Sequence, residues 1–452
     1  MTISRTICLG FIAVIAVGTL LLMLPFSTSD GSWINPIVAL FMSTSAVCVT
    51  GLSVIPDLGK DLSFWGQLIL VLLVQIGGLG YMTMTTFLIL LIGRKFDLQQ
   101  RFAIQESFDR PFLQGSQNLI RSIFATTLIF ELTGAFLMLP RFTQDRGLSE
   151  GLWYSIFHSV SAFNNAGFGL LPDNFIQYQS SAIINLAITG SIVFGGIGYQ
   201  VIIELYLWLL HKIKGKKERF CFSLNFKVVT STTIVLLVLG ALTILAAEIN
   251  NKNTLLDISF KEKILAAWFQ SVTSRTAGFN TINIGQMTVE GLFLTMILMF
   301  IGASPSGTGG GVKTTTLRII SGCTRSVLRG DEEVILYKRK VPSPLILKAV
   351  AVIFGSALTI FIATLGISFV ETHINSLPIL FEVISAFGTV GLSMGNPVNA
   401  ASLSYSFSPL SQLIIVAVMY TGRVGVILLI AAFVGDPSPS FIQYPEENLL
   451  VG

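Results

Sequence analysis

Four short segments of this chain resemble one another, and each runs into a glycine. They are STSAVCVTGL from Ser43, SVSAFNNAGF from Ser159, FQSVTSRTAGF from Phe269 and VISAFGTVGL from Val383. Their glycines are Gly51, Gly167, Gly278 and Gly391, and each step between them is close to a quarter of the 452-residue chain. A fixed period of this kind means one structural unit written four times. The units divide at 1–93, 94–211, 212–322 and 323–452. Any fold must therefore give four glycine loops equivalent surroundings.

Composition says what those surroundings are. Hydrophobic residues make up 52% of the chain and charged residues 12%, about half the charge of a typical soluble domain. So few charges cannot cover a soluble protein of this size, and the chain reads as an all-α, polytopic membrane protein. The formal charge of +4 resides in connecting segments and forms no patch for nucleic acid. Cys8, Cys48, Cys221 and Cys323 lie far apart, without metal-ligand spacing, and read as reduced thiols. The apolar run within Met1 to Leu24 is too long for a signal h-region and reads as a retained first span.

Eight stretches are long enough to cross about 30 Å of hydrocarbon: 6–26, 65–93, 120–140, 181–211, 228–248, 288–322, 345–370 and 409–434. Between the two spans of each unit lies a shorter apolar segment, at 34–47, 152–163, 264–274 and 378–387. These are too short to cross and read as re-entrant half-helices. Nineteen of the 28 Lys and Arg sit at Arg5 or in the connectors between units, among them Arg94, Lys95, Arg101, Arg110, Lys216 and Lys217. The positive-inside rule then puts both termini and these connectors in the cytoplasm. Short loops and the lack of a targeting extension favour a bacterial plasma membrane.

Irregular backbone at membrane depth survives only where protein or a water-filled passage satisfies it. Four loops meeting on one axis would aim carbonyl oxygens into a shared path and replace the water shell of a cation. The residues expected to form that ring are Val49, Thr50 and Gly51; Asn165, Ala166 and Gly167; Thr276, Ala277 and Gly278; and Thr389, Val390 and Gly391. Glycine reaches φ > 0 without a Cβ clash and leaves the axis open. Half-helices entering from outside would also point their partially negative C-terminal ends at the cation. The unequal neighbours make the ring pseudo-fourfold.

The span at 288–322 contains GASPSGTGGGVK, with Gly302, Ser304, Pro305, Gly307, Gly309, Gly310, Gly311 and Lys313. Glycine and proline at this density forbid a regular helix. Val312 separates Gly311 from Lys313 and also denies a third glycine to G-x-G-x-x-G, so neither phosphate-binding motif is present. A passive kink and a loop lying across the path as a gate remain, with the gate favoured.

The helix–pore-loop–helix unit, repeated four times with single filter glycines, resembles the Trk/Ktr/HKT superfamily of potassium transporters over essentially the whole chain. It is most similar to the Ktr-type membrane subunit, because the length leaves no room for the additional N-terminal helix pair of Trk-type subunits. The resemblance implies a potassium preference, since serine in the first filter position accompanies sodium preference and Gly51 stands there. It also implies a gating role for residues 302–313 held closed by Arg423, K⁺ as the transported ion with Na⁺ as a coupling or activating ion, a homodimer, and a cytosolic regulatory ring that binds ATP or ADP. The connectors 211–219 and 324–340 would either dock that ring or face anionic lipid.

Ionisable groups inside the membrane are costly and hence functional candidates. Arg275, one residue before the third filter triplet, is expected to brace the loop from behind, with Glu382 as a candidate partner. Glu131 and His158, without counterparts in the other units, read as hydrogen-bonded groups or, less simply, as a coupling-ion site. His158, His211 and His373 are scattered, which argues against an enzyme. A sodium-selective or unselective cation channel of the same fold is the remaining alternative.

Overall fold

The computed structural model describes residues 3–80, 116–215, 219–395 and 401–434. Residues 81–93 of the expected second span, and Arg94, Lys95, Arg101, Arg110, Lys216 and Lys217, lie outside the described residues.

Each unit begins with a long apolar helix: α1 (Ile3–Met23), α5 (Ser116–Arg146), α9 (Leu224–Glu248) and α13 (Ser343–Val370). A shorter one follows: α2 (Pro36–Val47), α6 (Leu148–Phe163), α10 (Phe260–Thr273) and α14 (Ser376–Gly388). The short helix α3 (Leu58–Asp61) lies between α2 and the next span. Local chemistry sets the starts of the re-entrant helices. Asn35 caps α2 ahead of Pro36, and Ser259 with Glu262 forms a capping box on α10. The long helices expose large apolar side chains outward, such as Phe136 and Phe369, as lipid-facing helices do.

Packing repeats along with the sequence. Phe41, Phe157, Phe269 and Phe381 occupy the same turn of the four re-entrant helices, and all are fully buried. In three units the first helix meets the re-entrant helix at one glycine–serine joint. A Cβ on Gly18, Gly134 or Gly240 would come within 2.4 Å of the hydroxyl of Ser43, Ser159 or Ser271 respectively. Those hydroxyls donate to first-helix carbonyls three residues before the glycine, at Ile15 (2.8 Å), Glu131 (2.6 Å) and Leu237 (2.8 Å). Close approach of two backbones over small residues is how helices associate without a hydrophobic drive between them. In the fourth unit Val383 stands at the serine's place on the re-entrant helix.

The second helices depart from the expected spans. In unit one, α4 (Phe64–Leu79) stops at Gly80, whose φ and ψ are 80° and 134°. In unit two, α7 (Ala182–Gly196) and α8 (Tyr199–Ile213) meet at 101° across Gly198, at 93° and 138°. In unit three, α11 (Val289–Phe300) and α12 (Thr314–Arg329) are separated by residues 301–313. A two-stranded hairpin, β1 (Ile335–Leu336) and β2 (Arg339–Lys340), follows. In unit four, α15 (Pro409–Val424) and α16 (Val426–Val434) meet at 95° across Gly425, at 93° and 137°.

The stretches 181–211, 288–322 and 409–434 are therefore broken rather than continuous helices. Glycine and proline density breaks the second of them. In the other two, as at the end of α4, the cause is one glycine conformation closed to residues with a Cβ. It recurs in Gly77-Gly78-Leu79-Gly80, Gly195-Gly196-Ile197-Gly198 and Gly422-Arg423-Val424-Gly425. Among the described residues, four unbroken helices and two bent pairs are long and apolar enough to cross, while α4 and α11 are shorter.

Candidate functional site

The four glycine loops leave their helices through one hydrogen-bonded exit. The amides of Thr50, Ala166 and Val390 donate to the carbonyls of Ser45, Ser161 and Ser385 at 2.7, 2.8 and 2.9 Å. Unit three is one residue shorter here, and Ala277 donates to Thr273 at 3.0 Å. Gly278 accordingly follows its buried Phe269 one position sooner than Gly51, Gly167 and Gly391 follow Phe41, Phe157 and Phe381. That shortening is why the glycine steps on either side of Gly278 differ, 111 residues before it and 113 after. The Ser45, Ser161 and Thr273 hydroxyls then donate to the carbonyls of Leu52, Phe168 and Phe279 just beyond the glycines. In unit four the Gly391 amide donates to Ser385 Oγ instead.

Two residues of each loop are left-handed. The glycines 51, 167, 278 and 391 have φ of 87°, 73°, 82° and 91°. Two positions earlier, Val49, Asn165, Thr276 and Thr389 have φ of 51°, 56°, 68° and 50°. For branched residues such as Val49 and Thr389 this conformation costs about 1–2 kcal/mol each, and strain of that kind persists where surrounding contacts enforce it.

The loops close on themselves. A Cβ on Gly51 would lie 2.4 Å from the carbonyl oxygen of Ala166. The corresponding distances are 2.6 Å from Gly167 to Ala277, 2.3 Å from Gly278 to Val390, and 2.2 Å from Gly391 to Thr50. Each glycine thus abuts the main chain of another unit, and the fourth returns to the first. On one side of the ring lies a cavity of about 540 Å³ lined by all four glycines and by polar residues including Asn174, Asn280, Gln286 and Ser402. Asp173 is the one charged residue in that lining among the described residues.

Residues 301–313 lie against the opposite side of the ring. The Gly310 amide donates to Thr389 Oγ1 at 2.9 Å, and a Cβ on Gly309 would fall 2.0 Å from Thr276 Oγ1. The loop is stitched to itself by Gly302 N to Val312 O at 2.8 Å and Gly307 N to Ser304 O at 3.1 Å. It is stitched to unit two by Ser304 N to Gly196 O at 3.0 Å, Thr308 N to Gly195 O at 3.1 Å and Tyr199 N to Ser306 O at 3.1 Å. A Cβ on Gly198 would meet the Pro305 carbonyl at 2.3 Å. Unit four contributes the Gly422 carbonyl, which accepts from Gly311 N at 3.3 Å. Lys313 Nζ folds back onto the Gly309 carbonyl at 2.7 Å.

Arg423 joins three units. It occupies the motif position of Gly78 and Gly196. Its Nη1 donates to the Thr308 carbonyl of the loop, and Nη2 donates to the Gly77 carbonyl and, at 3.2 Å, to that of Gly78. A single planar guanidinium thus holds the loop to the end of α4.

Arg275 and Glu382 do not pair. Arg275 Nη2 donates to the Gly302 carbonyl at 2.9 Å, at the root of the loop. Glu382 accepts from the amide and hydroxyl of Ser404 at 2.9 and 2.6 Å, bracing the segment after the fourth ring residue. Backbone carbonyls freed by the broken helix are nearer acceptors for the guanidinium than a carboxylate on another helix. Glu382 in fact shares its helical position with Met42, His158 and Gln270, each three residues before Ser45, Ser161 and Thr273. His158 therefore does have counterparts. Its Nδ1 donates to the Tyr154 carbonyl at 2.7 Å, and Nε2 accepts from the Leu170 amide at 3.2 Å. Glu131 accepts from Asn164 Nδ2 at 3.1 Å.

With this geometry in hand, the chain can be set beside known proteins. A sequence model of the TrkH family, described as cation transport protein, matches residues 4–444. The chain belongs to the TrkH family of cation transport proteins. Among TrkH-family relatives, the Ktr system potassium uptake protein B of Bacillus subtilis is 36% identical, covering 100% of this chain and 97% of that protein. The potassium/sodium uptake protein NtpJ of Enterococcus hirae is 33% identical over 99% of this chain and 97% of its own length. The crystal structure of the potassium transporter TrkH from Vibrio parahaemolyticus shares the fold, with a TM-score of 0.71 over 94% of this chain and 82% of that one, at 18% identity. Both the all-α membrane fold and the Trk/Ktr resemblance expected from the sequence hold.

Proposed function

We propose that this TrkH-family protein takes up potassium through the ring formed by its four glycine loops. The observation that carries the proposal is the closure of that ring. The carbonyls of Thr50, Ala166, Ala277 and Val390 each lie against a glycine of another unit, so close that a Cβ there would collide with the oxygen. A cation leaving the polar outer cavity exchanges part of its water shell for these oxygens. The C-terminal ends of α2, α6, α10 and α14 add partial negative charge beneath it. Left-handed Val49, Asn165, Thr276 and Thr389 turn the chain into the ring.

Residues 302–313 act as the gate. They touch Thr276 and Thr389 directly beneath the ring, and Arg423 latches them to α4. Lys313 is kept on the Gly309 carbonyl and out of the ion path. Both termini and the basic connectors face the cytoplasm, and the protein resides in the plasma membrane. It works as a homodimer with a cytosolic nucleotide-binding subunit docked on the connectors, and Na⁺ couples to or activates uptake. The relatives named for potassium uptake, one of them also for sodium, support this reading.

The test is rubidium and sodium uptake in cells lacking their own potassium uptake systems, comparing wild type with Gly278→Ser. Wild type restores growth at low potassium, and the variant loses discrimination between the two ions. Uptake that ignores potassium, or a variant with unaltered selectivity, contradicts the proposal.

A further inference from the structure

The helices beyond the two near-right-angle hinges differ in chemistry. In α16 every residue is apolar, whereas α8 is amphipathic and ends in aromatic and basic residues. One stripe of α8 holds Ile202, Tyr206, Leu209 and Ile213, and the last three are 59%, 44% and 79% exposed. The opposite side packs on the chain that leads into α9. There Glu204 accepts from the amide and hydroxyl of Ser223, the N-cap of α9, at 3.1 and 2.6 Å. Trp208 and His211 lie against Phe222 and Phe220, with ring centroids 6.2 and 5.7 Å apart. Lys212, Lys214 and Arg219 are exposed, and among the described residues no acidic side chain forms an ion pair with them.

We infer that α8 lies in the cytoplasmic face of the bilayer, and that Lys212, Lys214 and Arg219 bind the phosphates of anionic phospholipids. The 101° hinge turns α8 out of the direction of α7 and into the membrane plane. The bond from Glu204 to the start of α9, the next helix long enough to cross, sets its depth at the cytoplasmic boundary. An apolar stripe edged by aromatic and basic residues is the pattern of helices that lie at such a boundary. Lysine stems cover apolar surface there while their ammonium groups reach the headgroups. The negative potential of the cytoplasmic leaflet complements the three cations. This leaves the connector 324–340 as the docking surface of the cytosolic subunit.

The lipid contact reaches the gate. The amide of Tyr199, the first residue of α8, donates to the Ser306 carbonyl at 3.1 Å, and Gly198 abuts the Pro305 carbonyl. Lipid that holds α8 at the surface thereby keeps Pro305 and Ser306 in place. This link rests on the gate reading of residues 302–313 and on the cytoplasmic placement of the connectors.

The test uses the full-length chain. Native mass spectrometry of the protein in detergent, titrated with phosphatidylglycerol or phosphatidylcholine, compares wild type with the triple variant Lys212→Gln, Lys214→Gln, Arg219→Gln. Each basic residue contributes about fivefold in affinity, so the variant should bind phosphatidylglycerol about a hundredfold more weakly. Its binding of phosphatidylcholine should be unchanged. A nitroxide on Leu209→Cys, with Cys221 and Cys323 replaced by serine, should be more accessible to lipid-soluble oxygen than to an aqueous nickel chelate. Equal binding of the two lipids, or a variant that keeps its preference, overturns the lipid site. A label shielded from both reagents puts a second copy of this chain or the cytosolic subunit on the stripe and overturns it as well.

The link to the gate is read as resting rubidium leak in liposomes. Wild type should leak about two- to tenfold more in phosphatidylcholine than in phosphatidylglycerol, the worth of one backbone hydrogen bond, and the triple variant should leak equally in both. Equal leak of wild type in the two lipids overturns the link. Deleting Gly307 to Gly311 serves as control: if it too leaves the leak unchanged, the gate reading fails, while lipid binding is still decided by mass spectrometry.

Discussion

The amide of Gly310 donates to the hydroxyl of Thr389 at 2.9 Å. One residue belongs to the loop that breaks the second helix of unit three, and the other turns the fourth ring loop. Ring and loop are therefore in direct contact, and the loop cannot swing away without releasing a ring residue. A Cβ on Gly310 would also crowd Thr389, at 2.6 Å from its Oγ1.

Gly310→Ala should accordingly push the loop off the ring. The expected outcome is higher rubidium flux through purified protein in liposomes, with the full deletion of Gly307 to Gly311 raising flux further. Flux no higher than wild type in a well-expressed deletion variant contradicts the gate.

Arg423→Gln removes the bonds to Thr308, Gly77 and Gly78 together. Charge-assisted hydrogen bonds contribute about 1.5–3 kcal/mol each, so resting leak should rise by tenfold or more. Arg423→Lys should fall between, since an ammonium lacks the planar fork needed to span two units. Single-turnover flux in liposomes measures both.

Glu382→Gln should leave the resting leak near wild type, because Glu382 holds Ser404 and not Arg275. Combined with Arg275→Gln it should add independently. A strong non-additive effect in the double variant would reinstate an ion pair between them.

The glycine–serine joints predict stability. Gly240→Ala places a methyl about where the Ser271 hydroxyl lies, 2.4 Å away, and overpacking of this kind costs about 1–3 kcal/mol. Ser271→Val, which puts the fourth unit's residue at this place, removes the bond to the Leu237 carbonyl and should lower stability as well. Thermal unfolding in detergent ranks the variants.

The ring was the most legible part of the sequence, because a period of one quarter of the chain and a glycine's freedom at φ > 0 both survive without coordinates. The four re-entrant helices also begin and end close to where their apolar segments do. The hinges at Gly80, Gly198 and Gly425 were less visible. Each is a single glycine in an otherwise apolar run, and only the shared spacing of Gly77, Gly195 and Gly422 three residues earlier marks it. The partner of Arg275 could not be read at all. It is a backbone carbonyl, and a carbonyl leaves no mark on residue identity. The kinship of His158, Gln270 and Glu382 was hidden by chemical dissimilarity and by the one-residue shortening of the third loop.

The central claim is that a dehydrated potassium ion sits among the carbonyls of Thr50, Ala166, Ala277 and Val390. Anomalous diffraction from crystals of the full chain grown with thallium(I), a potassium surrogate, addresses it directly. The account predicts an anomalous peak on the axis of the four glycines, at coordination distance from those oxygens and weakened in Gly278→Ser. Thallium bound elsewhere, with the ring empty at saturating concentration, would contradict it.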